Sequence, residues 1–283
     1  MNFNLIGCGR LGKQLAFALI CSGQGKLHSV YNKHYESAVN SVSLLGEGDA
    51  ISELQALSRA SLHFITTPDS VIPEIVQQLQ HYEPILKGSA IIHCSGVLSS
   101  AILSPLRALG CHIACIHPLK PFPHQALNAE IFKDCYCSIE GDEKAVEIIS
   151  PLFVNLGAKL FSIEASQKML YHSAAAIASN YLVTLAHAAE QCMREAGVEK
   201  EMAKEIIVSL MQNSLFNVRN AKDLPHALTG PIARGDEETI RQHLQSMLDP
   251  VIESFYRKAG LATLAFAPLS EEKKKSLRSI LED

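Results

Sequence analysis

The sequence predicts an α/β domain built on a doubly wound, mostly parallel sheet, followed by an all-α C-terminal domain. Three observations predict it. The chain opens with a short apolar strand, a glycine-rich turn and a helix with an apolar stripe. Strand and helix patterns then alternate as far as Ser162, as in a sheet whose strands are joined by helical crossovers. From Ala165 onward every regular segment has helical periodicity, and a change of class at one point marks a domain boundary. The expected domains are residues 1–162 and 163–283.

The elements follow in order. Residues 2–6 read as a buried strand and residues 13–21 as the first helix, which Gly23 and Gly25 break. Residues 27–31 read as the second strand, 35–45 as a helix, 53–58 as a short helix and 62–66 as a strand. Thr67-Pro68-Asp69-Ser70 turns into a helix reaching about Tyr82, with Asp69 as its expected N-cap and Pro73 in its first turn. Residues 89–94 and 111–116 read as strands flanking a helix over 98–109 that Pro105 kinks. Pro118, Pro121 and Pro123 then argue against a continued strand up to His124. A strand over 135–139, a helix over 143–156 that Pro151 kinks and a strand over 159–162 complete the first domain. The second is expected to hold one long helix, or two joined, over 166–196, then helices over 200–213, 237–245, 251–258 and 271–281. Asp236 is a candidate N-cap.

Composition narrows the function. With 47% hydrophobic and 19% charged residues over 283 positions, the chain has ample core for a globular protein. A net charge of −4 argues against a nucleic-acid surface. No apolar run reaches the roughly 18 residues of a membrane span, and the N-terminus has neither a basic region nor a long apolar one. A cytoplasmic protein that uses neither nucleic acid nor membrane is expected. The eight cysteines form no CxxC pair and sit mostly in apolar patterns, where cysteine packs as a small hydrophobe. Neither a disulfide framework nor a metal site is expected.

The opening segment carries the clearest chemistry. Gly7-Cys8-Gly9-Arg10-Leu11-Gly12 lies between a strand and a helix, the context in which GxGxxG binds a dinucleotide. Gly7 permits the turn, Gly9 lets backbone approach a pyrophosphate, and Gly12 lets helix pack on strand. Helix-start N–H groups face the phosphates. Dehydrogenases that use NAD carry an acid about 20 residues on, at the end of the second strand. Here Asn32-Lys33-His34 stands at that point, and Lys33 suits a 2′-phosphate as a point charge. The expected cofactor is therefore NADP, with NAD the alternative. Ligands in such sheets lie beyond the carboxyl ends of the strands, which brings in Thr66, Thr67 and Ser95 on the cofactor side. His117, restricted by the proline after it, is a substrate-side candidate; Lys120 is either an anion contact or a solvated lysine. His93 reads as a buried core histidine. Lys168 and His172 share a helix face and are candidates for general acid/base work. Asn180 lies near the same stripe beyond Ala174-Ala175-Ala176. Arg234, in Leu228–Asp236, is a candidate clamp for a substrate carboxylate.

Several stretches as a set carry a family resemblance: GCGRLG at the start, TTPD at Thr66–Asp69, HCSG at His93–Gly96, HPLKPF at His117–Phe122, KMLYHSAAAIASNY at Lys168–Tyr181 and LTGPIARGD at Leu228–Asp236. The layout resembles the 6-phosphogluconate dehydrogenase-like superfamily. More closely, it resembles the family that joins a Rossmann-like domain to the domain of unknown function numbered 2520. The superfamily resemblance implies an N-terminal Rossmann domain and a helical domain that often dimerises. It also implies a catalytic lysine, which Lys168 matches, with an asparagine four residues later, where this chain has His172. His117-Pro118 is similar to a motif of prephenate dehydrogenases, but Ser179-Asn180 stands where those enzymes have Ser-His. The Leu228–Asp236 loop is analogous to, without matching, the substrate loop of pyrroline carboxylate reductases.

Together these readings lead to an NADP-preferring oxidoreductase that passes a hydride to or from a small anionic substrate. Gly7, Gly9, Arg10, Leu11 and Gly12 would hold the pyrophosphate, and Asn32 and Lys33 the adenosine end. Lys168 and His172 would handle the proton, and His117, Asn180 and Arg234 the substrate. A homodimer through the helical domain is expected. The alternative is a cofactor-binding sensor or regulatory protein without turnover.

Overall fold

The structure, a computed structural model, describes residues 1–122 and 126–282. It divides into two compact units, Met1–Ala176 and Ile177–Asp283. The first is built from β1 (Asn2–Ile6), α1 (Arg10–Cys21), β2 (Lys26–Tyr31), α2 (Tyr35–Leu45), β3 (Asp49–Ile51), β4 (Leu62–Ile65), α3 (Ile72–Leu79), α4 (Glu83–Leu86), β5 (Ala90–His93), β6 (His112–Pro118), β7 (Tyr136–Gly141), α5 (Glu143–Asn155) and β8 (Lys159–Ser162). These strands form one eight-stranded sheet in the order β3-β2-β1-β4-β5-β6-β7-β8. Every neighbouring pair is parallel except β6 with β7. The order reverses on either side of β1, so the glycine turn after β1 sits at the switch point where such sheets bind ligands.

Successive residues of a strand face opposite sides of the sheet, and two cores follow from that. Leu5, Phe64, Ile92 and Ala114 enter one core, and Ile6, Ile65, Ile91 and Ile113 the other. With both faces covered, β4 and β5 are buried along their length, which is why they read as continuous apolar runs.

The observed elements depart from the expected ones at a few points. Asp69 does not cap α3. A 3-10 turn at Asp69–Val71 precedes the helix, Val71 takes the position before it, and the Asp69 side chain bonds no helix N–H there. The segment Ser100–Leu109 is a run of 3-10 turns, since Pro105 has no N–H for an i→i−4 bond. β6 continues through His117 to Pro118; Pro118 is its last residue, where a proline costs the ladder little. Pro123 and His124 lie outside the described residues. The short elements β3 and α4 lacked a readable pattern.

A polar seam crosses the sheet between β2, β1 and β4. Asn4 donates to the Ser58 carbonyl at 2.6 Å, accepts from the Ser29 N–H at 3.0 Å and lies 3.2 Å from His63 Nδ1. Asn4, Ser29 and His63 are all fully buried. Burial holds the His63 pKa down to about 4 against only a partial opposing effect of a backbone hydrogen bond.

α6 (Lys168–Glu195) begins in the first unit and ends in the second. The second unit also holds α7 (Lys200–Asn220), α8 (Leu224–Ala227), α9 (Pro231–Arg234), α10 (Glu237–Ser246), α11 (Pro250–Phe266) and α12 (Glu271–Glu282). Its core joins Ile240 and Leu244 of α10, Leu264 of α11, and Leu277, Ile280 and Leu281 of α12. Asp236 caps α10, accepting the Thr239 N–H at 3.1 Å. Among the described residues no helix is long and apolar enough to cross a membrane.

Two buried histidines, His63 of the seam and His93 of β5, make stability depend on pH. An unfolded histidine takes up a proton below its ordinary value of 6.5, whereas folded His63 and His93 stay neutral to about 4. The unfolded state therefore binds more protons between these values, and stability is lost as pH falls through that window, by up to about 3 kcal/mol for each group. The urea midpoint is expected to drop between pH 7 and pH 4.5. It should drop less in His63→Asn, which cannot titrate; an equal drop in both proteins would remove His63 from the account.

Candidate functional site

Gly7 and Gly12 are each required for a different steric reason. Gly7 has φ +90°, and a β-carbon on it would lie 2.6 Å from Thr67 Cγ2. On Gly12 a β-carbon would lie 2.5 Å from Thr66 Oγ1 and 2.6 Å from the Gly7 carbonyl, so only glycine lets α1 approach β4 this closely. Thr66 fastens the same turn by donating its hydroxyl to the Gly7 carbonyl. Gly9 differs: a β-carbon there would meet nothing within 4 Å. It borders open space at the start of α1, where unpaired N–H groups favour an anion. Of its neighbours, Arg10 is exposed and Leu11 is half-buried against the core.

Beside the turn lies a cleft of about 480 Å³, walled by Gly7 and Gly9, by Asn32, Lys33 and Ser37 after β2, and by Thr66 and Thr67 after β4. Thr67 Oγ1 is buried without a hydrogen-bond partner. Asn32 accepts the Cys8 N–H through Oδ1 at 2.6 Å and donates to Ser37 Oγ at 3.2 Å, so its amide shapes the turn as well as lining the cleft. No carboxylate stands at the end of β2; the acid in the wall, Glu74, comes from α3. An open glycine, helix-start N–H groups, an orphaned hydroxyl and a lysine at the β2 end together fit a dinucleotide phosphate.

The carboxyl ends of β5 and β6 meet the start of α6 in a second cluster. Lys168 is 1% exposed. Its Nζ donates to the Ser95 carbonyl at 3.1 Å and to Cys115 Sγ at 2.9 Å, and pairs with Glu140 Oε1 at 3.8 Å. Glu140 is held in turn by Ser100, accepting its N–H at 2.7 Å and its hydroxyl at 2.6 Å. The Ser95 hydroxyl is engaged within its own turn, accepting from the Val97 and Leu98 N–H groups. His93 is fully buried, as expected of it, with its pKa lowered to about 4 by burial first and then by the Lys168 charge.

His117 and His172 converge on Gly96, their ring centroids 5.9 Å apart. A β-carbon on Gly96 would lie 2.5 Å from His172 Cδ2 and 2.8 Å from His117 Nε2, so the two imidazoles occupy the space a side chain would take. The His117 pKa is lowered to about 4, by burial first, then by Lys168 and His172. Tyr171, which sequence reasoning passed over, places its hydroxyl 3.2 Å from His117 Nδ1. The available signal was the i, i+3, i+4 spacing of Lys168, Tyr171 and His172, which puts all three on one helix face. Lys120 donates to the Ile131 carbonyl at 2.9 Å. Asn180 and Arg234 belong to the second unit. Asn180 is exposed and bonded to the Ser179 hydroxyl, and exposed Arg234 lies 4.0 Å from Asp236.

Family models match both parts of the chain: a Rossmann-like domain over residues 1–118 and the domain of unknown function DUF2520 over residues 135–263. The chain joins a Rossmann-like domain to a DUF2520 domain. No curated protein matches it. Among solved structures, protein TM1727 of Thermotoga maritima is 26% identical, with 99% of this chain and 98% of that one aligned and a TM-score of 0.68. A Bacteroides fragilis protein provisionally described as an NADP oxidoreductase is 20% identical over 93% of this chain and 97% of that one, at TM-score 0.76. A pyrroline carboxylate reductase of Plasmodium falciparum with NADP bound is 12% identical over 99% and 98%, at TM-score 0.57. The latter two likenesses establish the fold.

The glycine geometry separates two substitutions. Gly9→Ala is expected to fold with an unchanged melting temperature, because its β-carbon meets open space, and to weaken binding of nucleotide phosphate about tenfold. Gly12→Ala should cost about 1–3 kcal/mol of stability by overpacking. Thermal melts and nucleotide titrations of both variants check the pair, and equal melting temperatures would contradict the steric assignment.

Proposed function

We propose that this protein is an NADP(H)-dependent oxidoreductase acting on a small anionic substrate. The observation that carries the reading is the cleft at the switch point of the sheet, with Gly9 open on one side and Lys33, rather than an acid, at the end of β2. Gly7, Gly9 and Gly12, with the backbone of Arg10 and Leu11, would hold the pyrophosphate. Asn32, Lys33 and Ser37 would meet the adenosine end, where Lys33 complements a 2′-phosphate. The unpartnered Thr67 hydroxyl and Thr66 lie on the same wall. A bound nicotinamide supplies or accepts a hydride. The likeness to proteins described as NADP oxidoreductase and NADP-bound reductase supports the same cofactor.

On this reading residues 1–162 carry the nucleotide, and residues 163–283 serve substrate recognition and dimerisation, with Asn180 and Arg234 toward the substrate. The second unit supports pairing of two copies. Ile177, Tyr181 and Val183 of α6, and Leu210, Leu215 and Phe216 of α7, are more than half exposed. Apolar exposure on that scale marks an interaction surface. Sedimentation velocity is expected to give a dimer, and Phe216→Glu with Leu215→Glu to give a monomer; a wild-type monomer at micromolar concentration would contradict the pairing.

A second reading, a cofactor-binding sensor without turnover, is favoured by one observation. Lys168 is enclosed by Ser95, Cys115 and Glu140, leaving it no open direction toward a substrate. The same titration tests the common root of both readings. NADPH is expected to bind more tightly than NADH, and Lys33→Ala to lose about tenfold in NADPH affinity, near the 1.4 kcal/mol of one charge contact, with NADH unaffected. Binding of neither nucleotide would end both.

A further inference from the structure

We propose that Tyr171 is a positioning residue that holds His117 as a neutral imidazole protonated on Nε2, so that the site offers an uncharged hydrogen-bond donor to a carbonyl oxygen rather than an acid to an imine. This deepens the oxidoreductase reading and rests on it for its substrate half.

The contact and the chemistry of the phenol together select the tautomer. The Tyr171 hydroxyl lies 3.2 Å from His117 Nδ1, and the two rings meet edge to face, centroids 5.8 Å apart at 89°. Phe161 packs against Tyr171 at 5.9 Å and braces the phenol. A phenol donates more readily than it accepts, because its lone pair is shared with the ring, and an unprotonated imidazole nitrogen is a strong acceptor. With Nδ1 accepting, the single proton of the neutral ring stands on Nε2. That edge of the ring lies over Gly96 at the carboxyl end of β5.

The surroundings keep the ring uncharged. From α6 come Tyr171, His172 and the Lys168 ammonium; from β5 comes His93, from β6 Cys115, and from β7 Glu140, which is engaged with Ser100 and Lys168. Among the described residues no carboxylate bonds to His117. Burial and the Lys168 charge both disfavour the imidazolium.

The chemistry then selects a reacting group. A neutral N–H would polarise a carbonyl through the oxygen lone pair as a hydride from NADPH adds to the carbon; the alkoxide formed would take its proton from water, and the imidazole would keep its own. A protonated imine has no lone pair to accept that bond, and its charge is opposed by the buried Lys168 ammonium.

Nitrogen-15 NMR of the full chain labelled at histidine, with and without NADPH, tests the tautomer directly. His117 is expected to show the Nε2–H pattern from pH 8 to pH 5 without titrating. Tyr171→Phe, which keeps the ring packing, is expected to average the two tautomers without changing the melting temperature. An Nδ1–H pattern, or a His117 titration near 6.5, overturns the proposal. In a second arm, NADPH oxidation is followed with small 2-oxo acids and aldehydes and with cyclic imines. Carbonyl compounds are expected to be reduced, and Tyr171→Phe to lower kcat about tenfold with NADPH affinity unchanged. Faster reduction of imines, or reduction of neither class, overturns the substrate half. Absent NADPH binding alongside the expected tautomer would instead remove the oxidoreductase reading, so the two failures are distinguishable.

Discussion

One buried ammonium fastens the ends of several strands. Lys168 joins the turn after β5 through the Ser95 carbonyl, β6 through Cys115 and β7 through Glu140. Taking an ammonium and a carboxylate out of water costs several kcal/mol per ion, and their mutual attraction offsets that only when the remaining donors and acceptors are also met. Here they are. The Ser100 N–H and hydroxyl hold Glu140, and a carbonyl and a thiol take Lys168. The arrangement fixes where α6 begins against the sheet, and so where Tyr171 and His172 stand beside His117.

That constraint also divides the labour between the two ends of the sheet's crevice. At β1 the chain keeps backbone bare: Gly9 faces open space, and Gly12 brings α1 close to the end of β4. At β5 and β6 it fills the space with imidazoles, and Gly96 gives up a side chain to admit them. Glycine does opposite work at the two places, leaving space open at one and yielding it to protein at the other.

The glycine turn, the alternation to Ser162 and the switch to helices were legible because each rests on local chemistry: steric demands of three residues, periodicity, and turn composition. α2 was readable to its last residue because Gly46, at φ +72°, ends it. The reversal of β7 was not, since antiparallel pairing with β6 is a property of the partner and not of either strand's pattern. Asp69 looked like a cap because local sequence cannot show that a 3-10 turn intervenes. The fate of Lys168 was hidden for a related reason. A lysine near a histidine on a helix reads as solvated or reactive, whereas its partners lie 73 and 53 residues away at Ser95 and Cys115. Tyr171 looked like an ordinary aromatic until His117 was brought to its hydroxyl by the sheet.

The enclosed lysine bears on what kind of catalyst such a site can be. An ammonium has three N–H groups, and those of Lys168 face a carbonyl, a thiol and a carboxylate. Moving it toward a ligand would strand Glu140 in the interior, and breaking a buried pair costs more than the pair contributes. The positive charge therefore acts in place, through its field. It works against a second cation nearby and so adds to burial, the larger cause, in keeping His93 and His117 neutral. A group that resembles the catalytic lysine by position thus passes its influence to its neighbours. The two imidazoles at Gly96 are half-buried, and the phenol behind one of them decides which nitrogen carries the proton.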